Sequence, residues 1–170
     1  KTISRMRRTA LSVALIGASL VCAASAQAGV LTSANGTLTY IANQGERNDV
    51  LVSTNLRLGV SVYTVKDLDA NPISIGGGMC DLINGIGECR TDGVGAIIID
   101  VRDGDDTAQI ATAGAGGLGP PTILSTLIGG DGVDTLMGGF GPDILKGNNG
   151  RDSLRGRQGP DVYKGGRGVD

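Results

Sequence analysis

The chain has 170 residues, a formal net charge of −2, 30 glycines, no His, no Trp, one Phe and three Tyr. Without His it cannot build an HExxH zinc site or a Ser-His-Asp triad, and no G-x-S-x-G nucleophile elbow occurs. So few aromatics also leave little for the usual sandwich core.

The N-terminus carries Lys1, Arg5, Arg7 and Arg8, then an apolar run from Ala10 to Ala24, then the small-x-small site Ala26-Gln27-Ala28. This is the pattern of a cleavable export signal over residues 1–28, with a mature chain starting at Gly29. The run is short for a spanning helix, so no transmembrane segment is expected in the mature chain. Val21 is too large for a lipobox around Cys22. Removing the signal takes 4 of the 15 bases and no acid, leaving 11 Lys+Arg against 17 Asp+Glu, a net charge of −6. Such acidity argues against nucleic acid or an anionic membrane as partner. Cys80 and Cys89 remain, and in an exported protein they are expected to form one disulfide closing a surface loop. Two sulfurs are too few for a zinc site.

Residues 29–112 alternate β-branched segments with Gly, Asn and Asp turns. Strands are predicted at Gly36–Ala42, Val50–Ser53, Val60–Val65 and Ala96–Val101, and no long amphipathic helix follows the signal. A solenoid lined by Val, Ile and Leu suits the shortage of aromatics. Two segments look like worn copies of the repeat that follows. In Arg47–Val52, Asp49 takes the acidic place and Leu51 the apolar one. In Asp103–Ala108, Asp106 and Ala108 take them. Asp103, Asp105 and Asp106 either hold a cation or form an ordinary acidic turn. Residues 113–128, rich in Gly, Ala and Pro over Ala113–Thr122, form a connection.

From Gly129 the chain repeats every nine residues: GGDGVDTLM, GGFGPDILK, GNNGRDSLR, GRQGPDVYK and GGRGVD. Asp134, Asp143, Asp152, Asp161 and Asp170 hold the sixth place. Leu136, Leu145, Leu154 and Tyr163 hold the eighth. Glycines at the first, second and fourth places permit backbone angles that other residues resist. Such a turn aims carbonyl oxygens inward and adds one carboxylate, and the residues around the eighth place form a short strand. Two units make one coil of 18 residues, and stacked coils make two parallel sheets around an apolar filling. The inward stacks are Leu136 over Leu154, and Leu127, Leu145 and Tyr163.

Alternate turns then lie above one another, and a cation between them takes oxygen from both. A hard ion with about 6–8 oxygen ligands fits, which is calcium. The expected ligand turns contain Gly129, Asp131, Asp134, Gly138, Asp143, Gly147, Asn149, Asp152, Gly156, Asp161 and Asp170. The shared carboxylate pairs are Asp134 with Asp152, Asp143 with Asp161, and Asp152 with Asp170. Two departures stand out. Asn148 and Arg157 replace glycine at the second place, and Arg tolerates that conformation poorly. Six bases (Lys146, Arg151, Arg155, Arg157, Lys164 and Arg167) balance the six Asp of the repeats, and they are expected on the solvated outer face.

The nonapeptide resembles the RTX, or haemolysin-type, calcium-binding repeat. That resemblance implies an all-β chain: a β-rich N-terminal region followed by a parallel β-roll over residues 129–170. More loosely, Gly45-Glu46-Arg47-Asn48-Asp49-Val50, the Cys pair and Gly104-Asp105-Asp106 resemble exported bacterial calcium-binding proteins of this type. The implied function is non-catalytic: a secreted, extracellular protein whose repeats are disordered without calcium and fold on binding it. The alternatives are a calcium-stabilised adhesive or structural surface module with a cell-surface or extracellular partner, or the accessory part of a larger secreted enzyme or toxin. RTX proteins exported by a type I system usually lack a cleavable N-terminal signal, so this chain departs from the toxin pattern. Asp170 stands inside an unfinished nonapeptide, and the chain is expected to be a fragment.

Overall fold

A computed structural model of the chain describes residues 29–69 and 71–170. The expected export signal, residues 1–28, lies outside the described residues. Among these residues all regular structure is β, and no helix is long and apolar enough to cross a membrane. The N-terminal region supplies β1 (Gly29–Ala34), β2 (Thr37–Ile41), β3 (Asp49–Arg57), β4 (Val60–Asp67), β5 (Ile73–Gly77), β6 (Cys80–Ile83), β7 (Ile86–Arg90), β8 (Ala96–Asp100) and β9 (Thr107–Ile110). The repeats supply β10 (Leu124–Gly132), β11 (Thr135–Met137), β12 (Asp143–Gly150), β13 (Ser153–Arg155) and β14 (Val162–Gly168).

They form two sheets of seven strands, ordered β14-β12-β10-β8-β2-β1-β5 and β13-β11-β9-β3-β4-β7-β6. A coil takes one strand from each sheet: β2 with β3, β8 with β9, β10 with β11, and β12 with β13. Successive coils pair in parallel throughout. Ser125 pairs with Asp143, eighteen residues on, and Ile144 with Val162. Two nonapeptides therefore make one coil, as the sequence predicts. Ala96 pairs with Leu124, twenty-eight residues on. The ten extra residues fall between β9 and β10, in the Gly- and Pro-rich connection, whose last five residues (124–128) already belong to β10.

All four predicted N-terminal strands form, and β2, β3, β8 and β9 continue the parallel stack. The other strands of that region behave differently. β1 pairs antiparallel with β2, β4 with β3 and β7, and β6 with β7, while β5 runs parallel to β1. Hairpins thus cover the open edges of the first coil, where an unpaired β2 or β3 would expose a row of backbone donors and acceptors.

The apolar filling is continuous from these hairpins into the repeats. One column runs Tyr40, Ile99, Leu127, Leu145 and Tyr163, and the facing one Val50, Ala108, Leu136 and Leu154. Both predicted stacks are present. Tyr40, Leu127, Leu136 and Leu145 are fully buried, whereas Tyr163 on the outermost coil is 53% exposed. The N-terminal worn copy is shifted by one residue from the alignment on Asp49. Asp49 pairs with Thr107 and Val50 with Ala108, so Asn48 holds the sixth place and Val50, not Leu51, the eighth. Burial decides this register, because a one-residue slip would turn Val50 and Val52 outward.

Cys80 and Cys89 are bonded to each other. They face each other across β6 and β7, and both side chains lie in the apolar cluster rather than on a surface loop. The bond closes a short hairpin, for which the chain-entropy contribution is about 2–3 kcal/mol. The double variant Cys80→Ser, Cys89→Ser should therefore lose about that much stability in urea unfolding, with no change in the periodicity-driven part of the fold.

Candidate metal centre

Each coil turns twice, so the roll has two flanks. On one flank stack the turns 101–106, 129–134, 147–152 and 165–170. On the other stack 138–143 and 156–161. Both sets of sixth-place carboxylates come together as their spacing predicts.

On the first flank the carboxylates form a ladder along the backbone. Asp134 Oδ1 accepts the Asp106 N–H at 3.1 Å, Asp152 Oδ1 accepts the Asp134 N–H at 3.0 Å, and Asp170 Oδ1 accepts the Asp152 N–H at 3.1 Å. Asp106 Oδ1 in turn accepts the Asn48 N–H at 2.7 Å. Asp106, Asp134 and Asp152 are buried, and the second oxygen of each, Oδ2, meets no donor at all. A buried carboxylate oxygen without a partner is costly unless a proton or a cation satisfies it. Among the described residues no three acidic, His or Cys side chains converge. A cation here would take its carboxylates from neighbouring turns and its remaining oxygens from the backbone, a hard-ion ligand set. Third-place residues adjoin as well: Asn149 Nδ2 donates to Asp131 Oδ1 at 2.6 Å, and both side chains are exposed.

The first-place glycines do something other than the sequence suggests. None of Gly129, Gly138, Gly147, Gly156 and Gly165 has a positive φ. They are needed for room instead. A Cβ on Gly147 would overlap Asp152 Oδ2 and lie 2.7 Å from the Gly165 carbonyl oxygen, and Gly129 and Gly138 stand in the same relation to Asp134 and Asp143. Left-handed angles are adopted at the second place, where Asn148 (φ 75°) and Arg157 (φ 73°) accept them with side chains present.

The second flank is satisfied differently. Asp161 Oδ1 accepts the Asp143 N–H at 3.1 Å. Asp143 Oδ1 accepts the Ser125 hydroxyl, and Asp143 Oδ2 accepts the Gly139 N–H at 2.7 Å. Arg151, Arg155, Lys164 and Arg167 lie exposed as expected. Arg157 does not: its Nη1 donates to the Ile110 carbonyl at 2.7 Å and the Gly138 carbonyl at 2.8 Å. Outward placement fails because two backbone carbonyls of neighbouring coils hold the guanidinium against the flank. Ser125 and Asn48 were not singled out in the sequence. Ser125 stands eighteen residues before Asp143, so a search at the coil period finds it. Asn48 is separated from Asp106 by inserted hairpins and leaves no periodic signal.

Residues 128–163 and 138–170 match the family model of the RTX calcium-binding nonapeptide repeat (4 copies). Residues 128–170 are RTX calcium-binding repeats. Comparison of the chain with curated proteins and with solved structures gives no match. The RTX match leaves out Val101–Ala108, although that segment occupies the next turn of the same flank. Its departures are Val101 at the first place and Arg102 at the second.

Burial raises the Asp106 carboxyl to about 7 and the Asp134 carboxyl to about 6, with neighbouring Asp134 and Asp152 respectively adding to the rise. A carboxyl raised in the folded chain stabilises the fold while protonated. That contribution is complete below the ordinary carboxylate range and is lost as pH rises through about 6 to 7. The chelated protein should therefore melt at a higher temperature at pH 5 than at pH 8. A melting temperature that rises over this interval would contradict the burial of these groups. For the glycines, Gly147→Ala should cost about 1–3 kcal/mol by overpacking. Gly119→Ala, where a Cβ meets nothing within 4 Å, should change stability by less than about 0.5 kcal/mol in the same denaturant series.

Proposed function

We propose that this protein is an exported, non-catalytic calcium-binding module whose RTX roll is completed by calcium outside the cell. The observation that carries this reading is the row of buried carboxylates on one flank with an oxygen left free on each. Asp134 with Asp152, and Asp152 with Asp170, each supply two carboxylates to one ion. Gly129, Asp131, Gly147 and Asn149 belong to the same turns, and the first-place glycines make room for the ligand oxygens. Calcium is low inside bacterial cells and higher outside, so a chain that needs the ion to complete its turns can cross a membrane before they set. Export is supported by the signal pattern ending at Ala28 and by the Cys80–Cys89 bond, since disulfides persist in oxidising compartments. The surroundings outside the cell then offer a cell-surface or extracellular partner.

Calcium titration of the full chain, followed by calorimetry and far-UV circular dichroism with magnesium as control, tests the ligand assignment. Asp152 serves two ions and Asp170 one. Asp152→Asn should lower the bound calcium by up to two ions per chain, and Asp170→Asn by no more than one. Equal losses would argue against ligands shared between turns. Mass spectrometry of the secreted protein should find Gly29 at the mature N-terminus; an uncut chain retained in the cell would overturn the export reading.

A further inference from the structure

We infer that a further calcium site lies upstream of the matched repeats, between the turns 101–106 and 129–134, with Asp106 and Asp134 as its carboxylate ligands. This rests on the calcium reading of the repeats. Only one member of the pair, Asp134, belongs to the matched nonapeptides.

The backbone of 101–106 follows the repeat turn although its sequence departs from it. Arg102 (φ 69°) takes the second-place angle that Asn148 takes in its own turn, and Gly104 (φ 133°) matches Gly132 (φ 138°). The two turns are laced together: the Asp131 N–H donates to the Arg102 carbonyl at 2.9 Å, and the Gly104 N–H to the Asp131 carbonyl at 2.8 Å. Asp106 then stands directly before Asp134 in the ladder.

An ordinary acidic turn would leave its carboxylates to solvent or to backbone donors. Asp105 is of that kind: it is exposed, and its Oδ1 accepts the Val133 N–H at 2.9 Å. Asp106 is not. It is 2% exposed and Asp134 is 1% exposed, and the Oδ2 of each has no donor. Two adjacent buried carboxylates, each with one oxygen committed to a backbone N–H and the other free, need a shared positive charge. The chain has no His, and Cys80 and Cys89 are bonded to each other away from this flank, so the ligands are oxygens, the ion is hard and divalent, and calcium fits best.

The test is calcium chloride titration of the full chain and of Asp106→Asn, whose amide oxygen can still accept the Asn48 N–H. The variant should bind one ion fewer than the wild type. In the wild type, calcium should slow hydrogen exchange across 101–108 as it does across 129–134, and this arm decides the matter if the variant does not fold. Unchanged stoichiometry in Asp106→Asn, or exchange at 101–108 indifferent to calcium, overturns the site. If the wild type binds calcium and Asp152→Asn loses ions while Asp106→Asn does not, the calcium reading stands and this site alone falls. A wild type that binds no calcium removes both.

The opposite flank supports a second inference, carried by Arg157. We propose that its guanidinium takes the place of a calcium ion there. It bridges the carbonyls of Ile110 and Gly138, two successive coils, and both oxygens of the Asp143 carboxyl already have donors from Ser125 and Gly139. Arg resists a φ of 73°, and the two carbonyl bonds hold it there. Asp161→Asn should keep the wild-type calcium stoichiometry, and loss of one ion would overturn the proposal. Arg157→Gly should lower the melting temperature of the chelated protein by several degrees and bind one calcium ion more than the wild type. A folded Arg157→Gly with unchanged stoichiometry would reduce Arg157 to a packing residue.

Discussion

The roll depends on a carboxylate that is only half satisfied. In each coil of the first flank the sixth-place Asp ties itself to the coil before it by accepting that coil's Asp N–H. A charge-assisted bond of this kind contributes about 1.5–3 kcal/mol. It also fixes the register, since any slip would leave both the amide and the carboxylate unpaired. The same geometry buries the second oxygen where no donor reaches it. The ladder is therefore stable with a proton at low pH or with a cation at neutral pH, and strained with neither. At Asp106 and Asp134 acid and calcium would act on the same atoms, since each carries a raised carboxyl and a proposed ligand oxygen.

The two flanks solve this problem by different means. The first keeps open oxygens and calls for an ion from solution. The second spends Ser125, the Gly139 N–H and Arg157 on internal partners. The asymmetry is made possible by the coil period: each flank samples every second nonapeptide, so units of one flank can diverge without disturbing the other. GGFGPDILK and GRQGPDVYK share Pro at the fifth place and face one way. GGDGVDTLM, GNNGRDSLR and GGRGVD face the other.

The repeat made much of this legible in the sequence. The coil length, both apolar stacks and the pairing of sixth-place Asp residues follow from the nine-residue spacing, and the Cys80–Cys89 bond from these being the two cysteines left after the export signal. Three things did not. The slot of Asn48 is hidden because identity favours Asp49, while burial of Val50 and Val52 sets the register one residue earlier. The role of the first-place glycines is hidden because a tight turn and a close carboxylate both demand Gly, and only coordinates separate them. Arg157 reads as a defect in the motif, since a sequence shows that its backbone is unsuited to Arg but not what the guanidinium reaches.

Calcium dependence should not be uniform along the roll. Leu127, Leu136 and Leu145 are fully buried in one cluster with Ile99, Val50 and Val65. Burying such side chains contributes about 1.5–3 kcal/mol each, and the hairpins of β1, β4, β6 and β7 protect the near edges. Early coils therefore have an apolar reason to be ordered before any ion arrives. The outermost described coil has little of this support. Val162 and Tyr163 are about half exposed, and β14 pairs on one side only. Its order rests mostly on backbone pairing with β12. Calcium removal should therefore speed hydrogen exchange less in β10 and β11, which pack against the N-terminal core, than in β12 and β13.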